Sequence, residues 1–595
     1  MSQFTRKTAI TPLIFARQRS HRAAQLLVCV RYRANEGDGM LVYDAIAKAF
    51  VEEGCEAIFG LMGDGNMPFW GALARYPGIR IYSARHEAAA VGMADGYFRA
   101  NGKLPIATVT WGPGLTQTAT PLTVACRNRT PMVLALGAQG KNAKDRTQFI
   151  DHRKFGEICG ARYQEVTSAD TAEAQIAEAF YAARVHRIPV LLDLPIDVQF
   201  QTLDFGFDYN PSRNFITPTE PVIASETSLA PVMEALISAK RPIIIAGRGA
   251  RLSQAHDEIV ALAGACGALL ATTLPNKGFF SGHAYDIGVA GAFASAPTEK
   301  LFADCDFVLG IGAELGYFTT EGGLLFPDAK VARIDIKPAP EEIGALPGLF
   351  VRGDAKNAAA MLTSMLEARQ VRKSGYRTAE TEMTLKATPA PLEKPKDGLD
   401  PRELMQKLGA GLPEDVRVVT GVGHYLGFVV MYLQLPRRAE QIITYQFGSI
   451  GQALIQAVGV AATRDGRPTV LIEGDGSLMV HIQELETAQR EGLSLAVVIM
   501  NDNAFGAEVH KLRAKGFEPS LAKWSNPDFV ALVRSFGGDG VVLQNENSIG
   551  AALKAGIAKG GVFVIDARLS PTTVSDTYRK LHFGLDNRAP LLRPQ

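Results

Sequence analysis

Short runs of valine, isoleucine and leucine alternate along this chain with stretches of helical periodicity, and this alternation constrains its fold more than any other feature. A continuous apolar run bounded by turn residues suits a strand buried on both faces, as in a parallel sheet. Strands that alternate with helices form βαβ units. We therefore predict an α/β fold of doubly wound parallel sheets. The clearest runs are PIATVTW, PMVLALGAQG, IPVLLDLP, PIIIAGRGA, DFVLGIGAEL, TVLIEGDG and LAVVIMNDN.

Two stretches interrupt this alternation and divide the chain into blocks. Residues 205–221 and 386–398 are rich in proline and polar residues and lack apolar periodicity. A chain of 595 residues is long enough for several domains of roughly 150 residues each. We expect three domains, followed by a C-terminal tail. Their predicted bounds are 40–204, 222–375 and 399–575, with the tail at 576–595.

We expect residues 1–39 to be an N-terminal extension that is disordered or lies outside the mature fold. Its first 35 residues contain arginine and lysine but no acidic residue, as organelle transit peptides do. The alternative is a start codon placed upstream of the true start at Met40. The segment is not clearly amphipathic, so the second explanation fits better and we expect a cytoplasmic protein.

The overall composition restricts the partners of the chain. A net charge of +1 gives no reason to expect nucleic acid or an anionic membrane surface. No apolar run approaches the roughly 20 residues of a membrane-spanning helix. The six cysteines are scattered without metal-site spacing, so we expect free thiols in a reducing compartment.

Two aspartates stand in turns that follow apolar runs. Asp475 lies in a Gly-Asp-Gly turn after TVLIE, and Asp502 lies in an Asn-Asp-Asn turn after LAVVIM. The intervening HIQELETAQREG has the spacing of an amphipathic helix, which predicts a strand–turn–helix–strand–turn unit. Such a unit brings both aspartates to the carboxyl edge of one sheet, where open α/β sheets bind ligands.

The residues around these aspartates suit a metal ion and a diphosphate. Carboxylate oxygens without a nearby cysteine or histidine ligand set suit Mg²⁺, which commonly binds one or two carboxylates together with ligand phosphates. Gly474 and Gly476 let the backbone approach a phosphate closely, and Ser477 can donate to it at the start of a helix. One Gly-Asp-Gly is also an ordinary turn. Because a similar turn ends the next strand, we predict a magnesium–diphosphate site.

Further segments accompany the two turns. They are RHEAAAVGMADGYFRANGK, TWGPGLTQTATPL, FGSIGQALIQAVGVA, TTLPNKGFF and FPDAKVARIDI. Together with GDGS and MNDNAFG they resemble the thiamine diphosphate enzymes, the family of acetohydroxyacid (acetolactate) synthase, pyruvate decarboxylase and benzoylformate decarboxylase. The resemblance covers nearly all of residues 40–575 and is greatest to acetolactate synthase large subunits. It implies a pyrimidine-binding first domain, a central Rossmann-like domain and a third domain that binds the diphosphate.

The resemblance implies roles for individual residues at the cofactor rings. Glu87 would hydrogen-bond the pyrimidine ring nitrogen and drive proton loss from the thiazolium carbon, which makes the nucleophilic ylid. The carbonyl of Gly448 would hold the pyrimidine amino group, and Ile450 would wedge between the two rings of the bent cofactor. The ordinary alternatives are a surface glutamate at Glu87 and core packing at Ile450.

Other residues would hold the diphosphate and its metal ion. The resemblance implies Mg²⁺ ligands at Asp475, Asp502 and the carbonyl of Ala504. Many relatives have asparagine where Asp502 stands, and an aspartate still offers an oxygen ligand. The remaining cofactor-binding residues that the resemblance implies are Gly474, Gly476, Ser477 and His424.

The residues predicted to surround the substrate combine features of two branches of the family. Asp64 and Glu508 stand where pyruvate decarboxylase has catalytic acids, and two acids could protonate an intermediate or release an aldehyde. Gln148, in a segment similar to acetolactate synthase, would be the active-site glutamine of that branch. His510 is a further catalytic candidate. The alternatives are a turn residue at Asp64 and packing histidines at His510 and His424.

We therefore expect an enzyme, dependent on thiamine diphosphate and Mg²⁺, that cleaves or forms a carbon–carbon bond of a 2-oxo or 2-hydroxy acid, as acetolactate synthase does. The alternatives within this chemistry are a benzoylformate-type decarboxylase and a 2-hydroxyacyl-CoA lyase. By resemblance, the enzyme would be a homodimer or homotetramer with its active sites at subunit interfaces.

Two alternatives belong to other classes. An FAD-dependent oxidase similar to pyruvate oxidase would place its flavin in the middle block. Only the glycine turn in IIIAGRGARLSQA supports it, and that turn lacks the GxGxxG pattern. A non-catalytic subunit that merely binds the cofactor is the other alternative. The presence of Glu87, Asp475 and Ile450 argues against it.

Overall fold

The structure is a computed structural model that describes residues 39–140, 147–203, 206–218, 220–337, 348–371, 373–386 and 393–580. The predicted extension at 1–39 lies outside the described residues except for Gly39. The predicted tail lies outside them from residue 581 onward.

Three six-stranded parallel sheets form the framework of the described chain, which confirms the predicted α/β class. The first sheet has the strand order β2-β1-β3-β4-β6-β5, and the third repeats this order as β14-β13-β15-β16-β18-β17. The middle sheet, β9-β8-β7-β10-β11-β12, has the order of a dinucleotide-binding fold. The strands are β1 Ala57–Gly60, β2 Arg80–Ser83, β3 Ile106–Val109, β4 Met132–Ala138, β5 Arg162–Glu165, β6 Pro189–Pro195, β7 Pro242–Ala246, β8 Leu269–Thr272, β9 Asp286–Val289, β10 Phe307–Ile311, β11 Lys330–Asp335, β12 Leu349–Arg352, β13 Arg417–Thr420, β14 Glu440–Ile443, β15 Thr469–Gly474, β16 Leu495–Asn501, β17 Asp539–Val542 and β18 Val562–Arg568.

Helices cover both faces of each sheet, and the apolar runs named above form buried strands between them. No helix in the described ranges is long and apolar enough to cross a membrane. The α-helices are Val42–Glu52, Met67–Leu73, Glu87–Asn101, Pro113–Thr116, Ala119–Asn128, His152–Cys159, Ala169–His186, Ile196–Gln199, Glu226–Ser238, Arg248–Leu252, His256–Cys266, Ala296–Ala303, Tyr317–Thr320, Ala355–Ala368, Ala379–Lys386, Pro401–Gly411, Tyr425–Tyr432, Gln452–Ala461, Asp475–Leu478, Glu484–Arg490, Gly506–Ala514, Phe529–Ser535, Ile549–Lys559 and Asp576–Tyr578.

The chain just beyond the predicted end of each of the first two blocks stays bonded to that block. The backbone N–H of Ser212 and the hydroxyl of Tyr209 donate to the buried carboxylate of Glu53, at 2.7 and 2.8 Å. After residue 375 the chain forms the Ala379–Lys386 helix, and Tyr285 of the middle block donates to Glu382 at 2.6 Å. The middle block therefore keeps contacts with residues beyond its predicted end.

Two helices join the first block directly to the third. Glu87–Asn101 packs against Gln452–Ala461 so closely that a methyl group at Gly96 would overlap the carbonyl of Gln456, and one at Gly459 would overlap the carbonyl of Met93. Only glycine permits this approach of the two backbones.

A buried carboxylate secures the same helix pair. Asp95 accepts hydrogen bonds from Asn128 at 2.8 Å, from Thr130 at 2.5 Å and, across the two blocks, from Gln456 at 2.7 Å. Because each of these bonds is buried, the loss of one partner would leave an unsatisfied polar group. The crossing of the two helices is therefore fixed by both packing and hydrogen bonding.

We predict that Gly459→Ala destabilises the protein by about 1–3 kcal/mol, because its methyl group forces the two helices apart. The matched control is Gly264→Ala in the His256–Cys266 helix, where an added methyl group meets open space. The control should leave stability unchanged or slightly increased. Chemical denaturation measures both, and equal stability of the two variants would contradict the assigned packing.

Candidate active site

The third block carries a cavity of about 240 Å³ at the carboxyl edge of its sheet. Strands β13, β15 and β16 are neighbours and end just before His424, Asp475 and Asp502. The parallel pairing of β15 and β16, with Gly474 opposite Met500, places the two aspartate turns side by side as predicted. The predicted site residues that line the cavity are His424, Gly448, Ile450, Gly474, Asp475, Gly476, Ser477, Asp502, Ala504 and Glu508.

The carboxylates of Asp475 and Asp502 are buried against each other. Burial, followed by the negative charge of Asp475, raises the pKa of Asp502, and burial raises the pKa of Asp475. The backbone N–H of Ala504 donates to both carboxylates. Two buried carboxylates in contact repel each other when both are ionised, so a divalent cation between them would relieve a real electrostatic cost.

The donor set fits Mg²⁺ bound together with a phosphate ligand. Within the described ranges no three His, Cys, Asp or Glu side chains are grouped closely enough to hold a metal ion. The protein would supply two carboxylates and a carbonyl, and Mg²⁺ commonly takes its other ligands from phosphate and water oxygens.

Asn526 holds the two aspartate turns by hydrogen bonds, and sequence analysis did not identify it. Its amide nitrogen donates to Asp475 at 2.5 Å and to the side-chain oxygen of Asn501 at 2.9 Å. It lies beyond the two motifs in a stretch without regular periodicity, so no spacing pointed to it.

Ser477 lines the cavity and also has hydrogen-bond partners within the protein. Its hydroxyl donates to the buried carboxylate of Glu473 at 2.6 Å and accepts from the N–H of Gly451 at 2.8 Å. Ser477 thereby ties the Gly-Asp-Gly turn to the segment that carries Gly448 and Ile450.

Gly448 and Ile450 lie on an exposed segment at the rim of the cavity. Phe447 and Gly448 both have positive φ, 66° and 67°, and both are exposed. Ile450 is 38% exposed and borders a second cavity of about 570 Å³ as well as the first. An isoleucine in this position is not a core residue, so the core-packing alternative for Ile450 does not fit the structure.

Glu508 and His510 have different surroundings, although they are neighbours on one helix. Glu508 lines the cavity and forms an ion pair with Lys511 at 2.8 Å. His510 is buried outside the cavity lining, with its ring 4.4 Å from that of His424. Burial, with smaller contributions from Arg513 and Arg579, lowers the pKa of His510 to about 4. His510 is therefore neutral at pH 7 and packs behind His424.

The remaining candidates share the carboxyl edge of the first sheet. Glu87 begins its helix, and its carboxylate lies 3.8 Å from the place where a Cβ on Gly114 would stand. Gln148 accepts a hydrogen bond from the indole of Trp111 at 2.7 Å. Asp64 is exposed in the turn after β1. None of Glu87, Gln148 and Asp64 lines the cavity of the third block.

Sequence analysis also did not identify Glu484, a buried carboxylate that holds the segment before Glu87. Glu484 of the third block accepts the N–H of Arg85 at 3.2 Å and the hydroxyl of Thr487 at 2.7 Å. Burial raises the pKa of Glu484 to about 7. Its partner is a backbone amide about four hundred positions away, which no sequence pattern reveals.

The glycine turn of the middle block provides no support for an FAD site. The N–H groups of Gly247 and Gly249 donate to the carbonyls of Ile311 and Gly312, at 3.0 and 2.9 Å. A methyl group at Gly247 would overlap the Gly312 backbone. These glycines allow two loops of the block to approach each other closely, and their N–H groups already donate to carbonyls of the protein.

Three parts of the chain match thiamine pyrophosphate enzymes. Residues 40–155 match the N-terminal TPP binding domain, residues 229–362 the central domain and residues 421–567 the C-terminal TPP binding domain. The chain therefore belongs to the thiamine pyrophosphate enzyme family, as its resemblance predicted.

Individual relatives are distant but match along most of their length. An acetolactate synthase large subunit of Buchnera aphidicola is 25% identical, over 88% of this chain and 94% of the relative. One of Parasynechococcus marenigrum is 29% identical, over 88% and 87%. A sulfoacetaldehyde acetyltransferase of Castellaniella defragrans is 26% identical, over 86% and 90%.

We predict that Asp502→Asn flattens the pH dependence of stability in the metal-free protein. Because the pKa of Asp502 is raised on folding, its stabilising protonation is complete below the unfolded-state pKa and is lost as pH rises through the folded-state value. Melting temperatures measured with a chelator between about pH 5 and pH 8 should fall less in the variant than in the wild type. The control is Asp64→Asn, at the carboxyl edge of the first sheet. Parallel profiles for Asp502→Asn and the wild type would contradict the assigned repulsion.

Proposed function

We propose that this enzyme uses thiamine diphosphate with Mg²⁺ to cleave a 2-oxo or 2-hydroxy acid and, as acetolactate synthase does, to transfer the fragment to an acceptor. The adjoining buried carboxylates of Asp475 and Asp502 in a cavity are the main observation in support. Several similar proteins are acetolactate synthase large subunits, and one is an acetyltransferase, which favours fragment transfer over simple decarboxylation.

Residues of the third block would hold the diphosphate end of the cofactor. Asp475, Asp502 and the Ala504 carbonyl would bind Mg²⁺, and the backbone at Gly474 and Gly476 would lie against the phosphates. When bound, the cofactor supplies a nucleophilic carbon and an electron sink. Ile450 would support the bent ring arrangement from the rim, where its side chain is accessible.

Glu87 would exchange a proton with the pyrimidine ring nitrogen. A carboxylate at the first residue of a helix is favourably placed against the helix dipole, and the glycine of the facing loop leaves room for a ring beside it. Glu508 would serve as the acid or base at the substrate, because it alone among the predicted catalytic residues lines the third-block cavity.

The substrate would occupy the part of the cavity beside Glu508. Lys511 holds the Glu508 carboxylate by its ion pair and adds a positive charge near an anionic 2-oxo acid. Asp64 and Gln148 would approach the same substrate from the first block of a partner chain. This arrangement would surround the substrate with both negatively and positively charged side chains.

We further propose a homodimer, or a tetramer of dimers, in which each site combines the first block of one chain with the third block of another. Glu87 does not line the third-block cavity of its own chain, which supports this assembly. So does a cluster of half-exposed apolar side chains around the cavity rim, since large exposed apolar patches mark interfaces. They are Phe447, Ile450, Met479, Val480 and Phe505.

We predict that Glu87→Gln retains cofactor binding and loses about 10²- to 10⁴-fold in turnover, because the amide cannot exchange the proton. The direct measurement is hydrogen–deuterium exchange at the thiazolium carbon of the bound cofactor. Glu157→Gln, at an exposed glutamate of the same block, is the matched control. Exchange at the wild-type rate in Glu87→Gln would show that another group removes the proton.

We predict that mixing Glu87→Gln chains with Asp475→Ala chains restores activity. Each variant alone should be inactive, but a mixed dimer contains one site with both native residues. Random pairing of equal amounts should give up to about a quarter of wild-type activity. Unmixed samples of each variant, carried through the same exchange procedure, are the control. Absence of recovery after proven subunit exchange would mean that each chain builds its own site.

A further inference from the structure

His424 lies between the cofactor cavity and the C-terminal segment. It is 6% exposed and directly precedes the Tyr425–Tyr432 helix. Its ring is packed edge-on against Phe428 and Tyr578, each with ring centres 5.1 Å away. These contacts fix the plane of the imidazole, so that each of its two nitrogens faces a definite neighbour.

One nitrogen of His424 accepts a hydrogen bond from the backbone. The N–H of Ser575 donates to Nε2 at 3.0 Å in a buried position. A backbone amide can only donate, so Nε2 carries no hydrogen in this arrangement. An imidazole whose Nε2 carries no hydrogen is neutral, and its one N–H lies on Nδ1.

The Nδ1 atom faces the acidic end of the cavity. A Cβ built on Gly506 would overlap Oδ2 of Asp502 and lie 3.5 Å from Nδ1 of His424, so both atoms border the same small space. Gly506, Asp502 and His424 all line the cavity. An Nδ1–H group directed there can donate to an anionic oxygen without bringing a positive charge into the buried site.

The segment that carries Ser575 is docked on the helix that follows His424. Tyr432 donates to Asp576 at 3.1 Å, and the hydroxyl of Thr577 donates to the sulfur of Met431 at 3.4 Å. Ser575 itself packs on Gly427, where an added Cβ would lie 2.6 Å from the serine Oγ. The position of the Ser575 amide therefore depends on this docking.

We propose that the backbone N–H of Ser575 fixes His424 as the Nδ1–H tautomer, so that the docked C-terminal segment equips the cavity with a neutral hydrogen-bond donor for a diphosphate oxygen. The identity of the ligand rests on the proposed function, whereas the tautomer does not. Ser575 is thus a positioning residue that acts through its backbone.

Two amide substitutions at His424 separate the roles of its nitrogens. His424→Asn places an amide near the position of Nδ1 and keeps a donor in the cavity, whereas His424→Gln places its amide near Nε2 and keeps only the group facing Ser575. In calorimetric titration with thiamine diphosphate and Mg²⁺, His424→Asn should bind within a few-fold of the wild type, and His424→Gln at least about tenfold more weakly. Equal losses in both variants, or wild-type affinity in His424→Gln, would overturn the proposal.

The tautomer can be read without any cofactor. The measurement is the ¹⁵N chemical shift of histidine nitrogens in cofactor-free, ¹⁵N-histidine-labelled protein. The His424 signals are assigned by their loss in His424→Asn. Nδ1 should have the chemical shift of a protonated nitrogen, and Nε2 that of an unprotonated nitrogen. The reverse pattern would overturn the proposal. If the wild type binds no thiamine diphosphate, the proposed function fails, and the nitrogen shifts still decide the tautomer.

Gly427→Ala tests the role of the docked segment from outside the cavity. The added methyl group should displace Ser575, whereas alanine itself is favourable in a helix. We therefore expect a mixture of tautomers at His424 and a several-fold loss of cofactor affinity. Gly264→Ala, where the added methyl group meets open space, is the matched control and should change neither. An unchanged tautomer with a demonstrably displaced segment would show that Ser575 does not set it.

Discussion

The close packing of the Glu87–Asn101 and Gln452–Ala461 helices is the contact that sets the placement of the first block relative to the third within one chain. Each helix starts at a candidate site: Glu87 is the first residue of one, and Ile450 stands just before the other. The backbones meet through Gly96 and Gly459, so neither helix can shift without the other. The two sheet edges, which carry different groups of site residues, therefore keep a fixed relation within one chain.

The electrostatics of the third-block cavity point to a site that a ligand completes. Asp475 and Asp502 are buried in contact, and burial raises the pKa of both. A protein that binds a cation here gains stability from binding, because the cation offsets a repulsion present in the metal-free fold. A neutral His424 beside this pair adds a donor and no further charge. His424 therefore adds no positive charge that would oppose a cation bound between the two carboxylates.

The sequence was sufficient for the framework and for residues at strand ends. Apolar runs such as LAVVIMN and TVLIEG form buried strands, because a strand covered on both faces buries nearly all its side chains and so favours apolar residues. Asp475 and Asp502 follow neighbouring parallel strands, so their proximity followed from topology alone. The thiamine pyrophosphate family could likewise be predicted from the motifs at these strand ends.

The sequence was insufficient wherever the partner of a residue is distant or is a backbone group. The hydroxyl of Ser477 donates to Glu473, a buried partner that the sequence did not indicate. Asn526 and the amide of Ser575 reach the site only after the chain has folded, and neither leaves a pattern in the sequence. Nor could spacing show that His510 packs behind His424 while Glu508 faces the cavity.

The most direct test is an equilibrium titration of the wild-type protein with thiamine diphosphate, with and without Mg²⁺. We expect one cofactor bound per chain, binding that requires the divalent cation, and loss of that binding in Asp475→Ala. Tight binding that is unaffected by a chelator and by Asp475→Ala would contradict the assignment of the two carboxylates as the metal site.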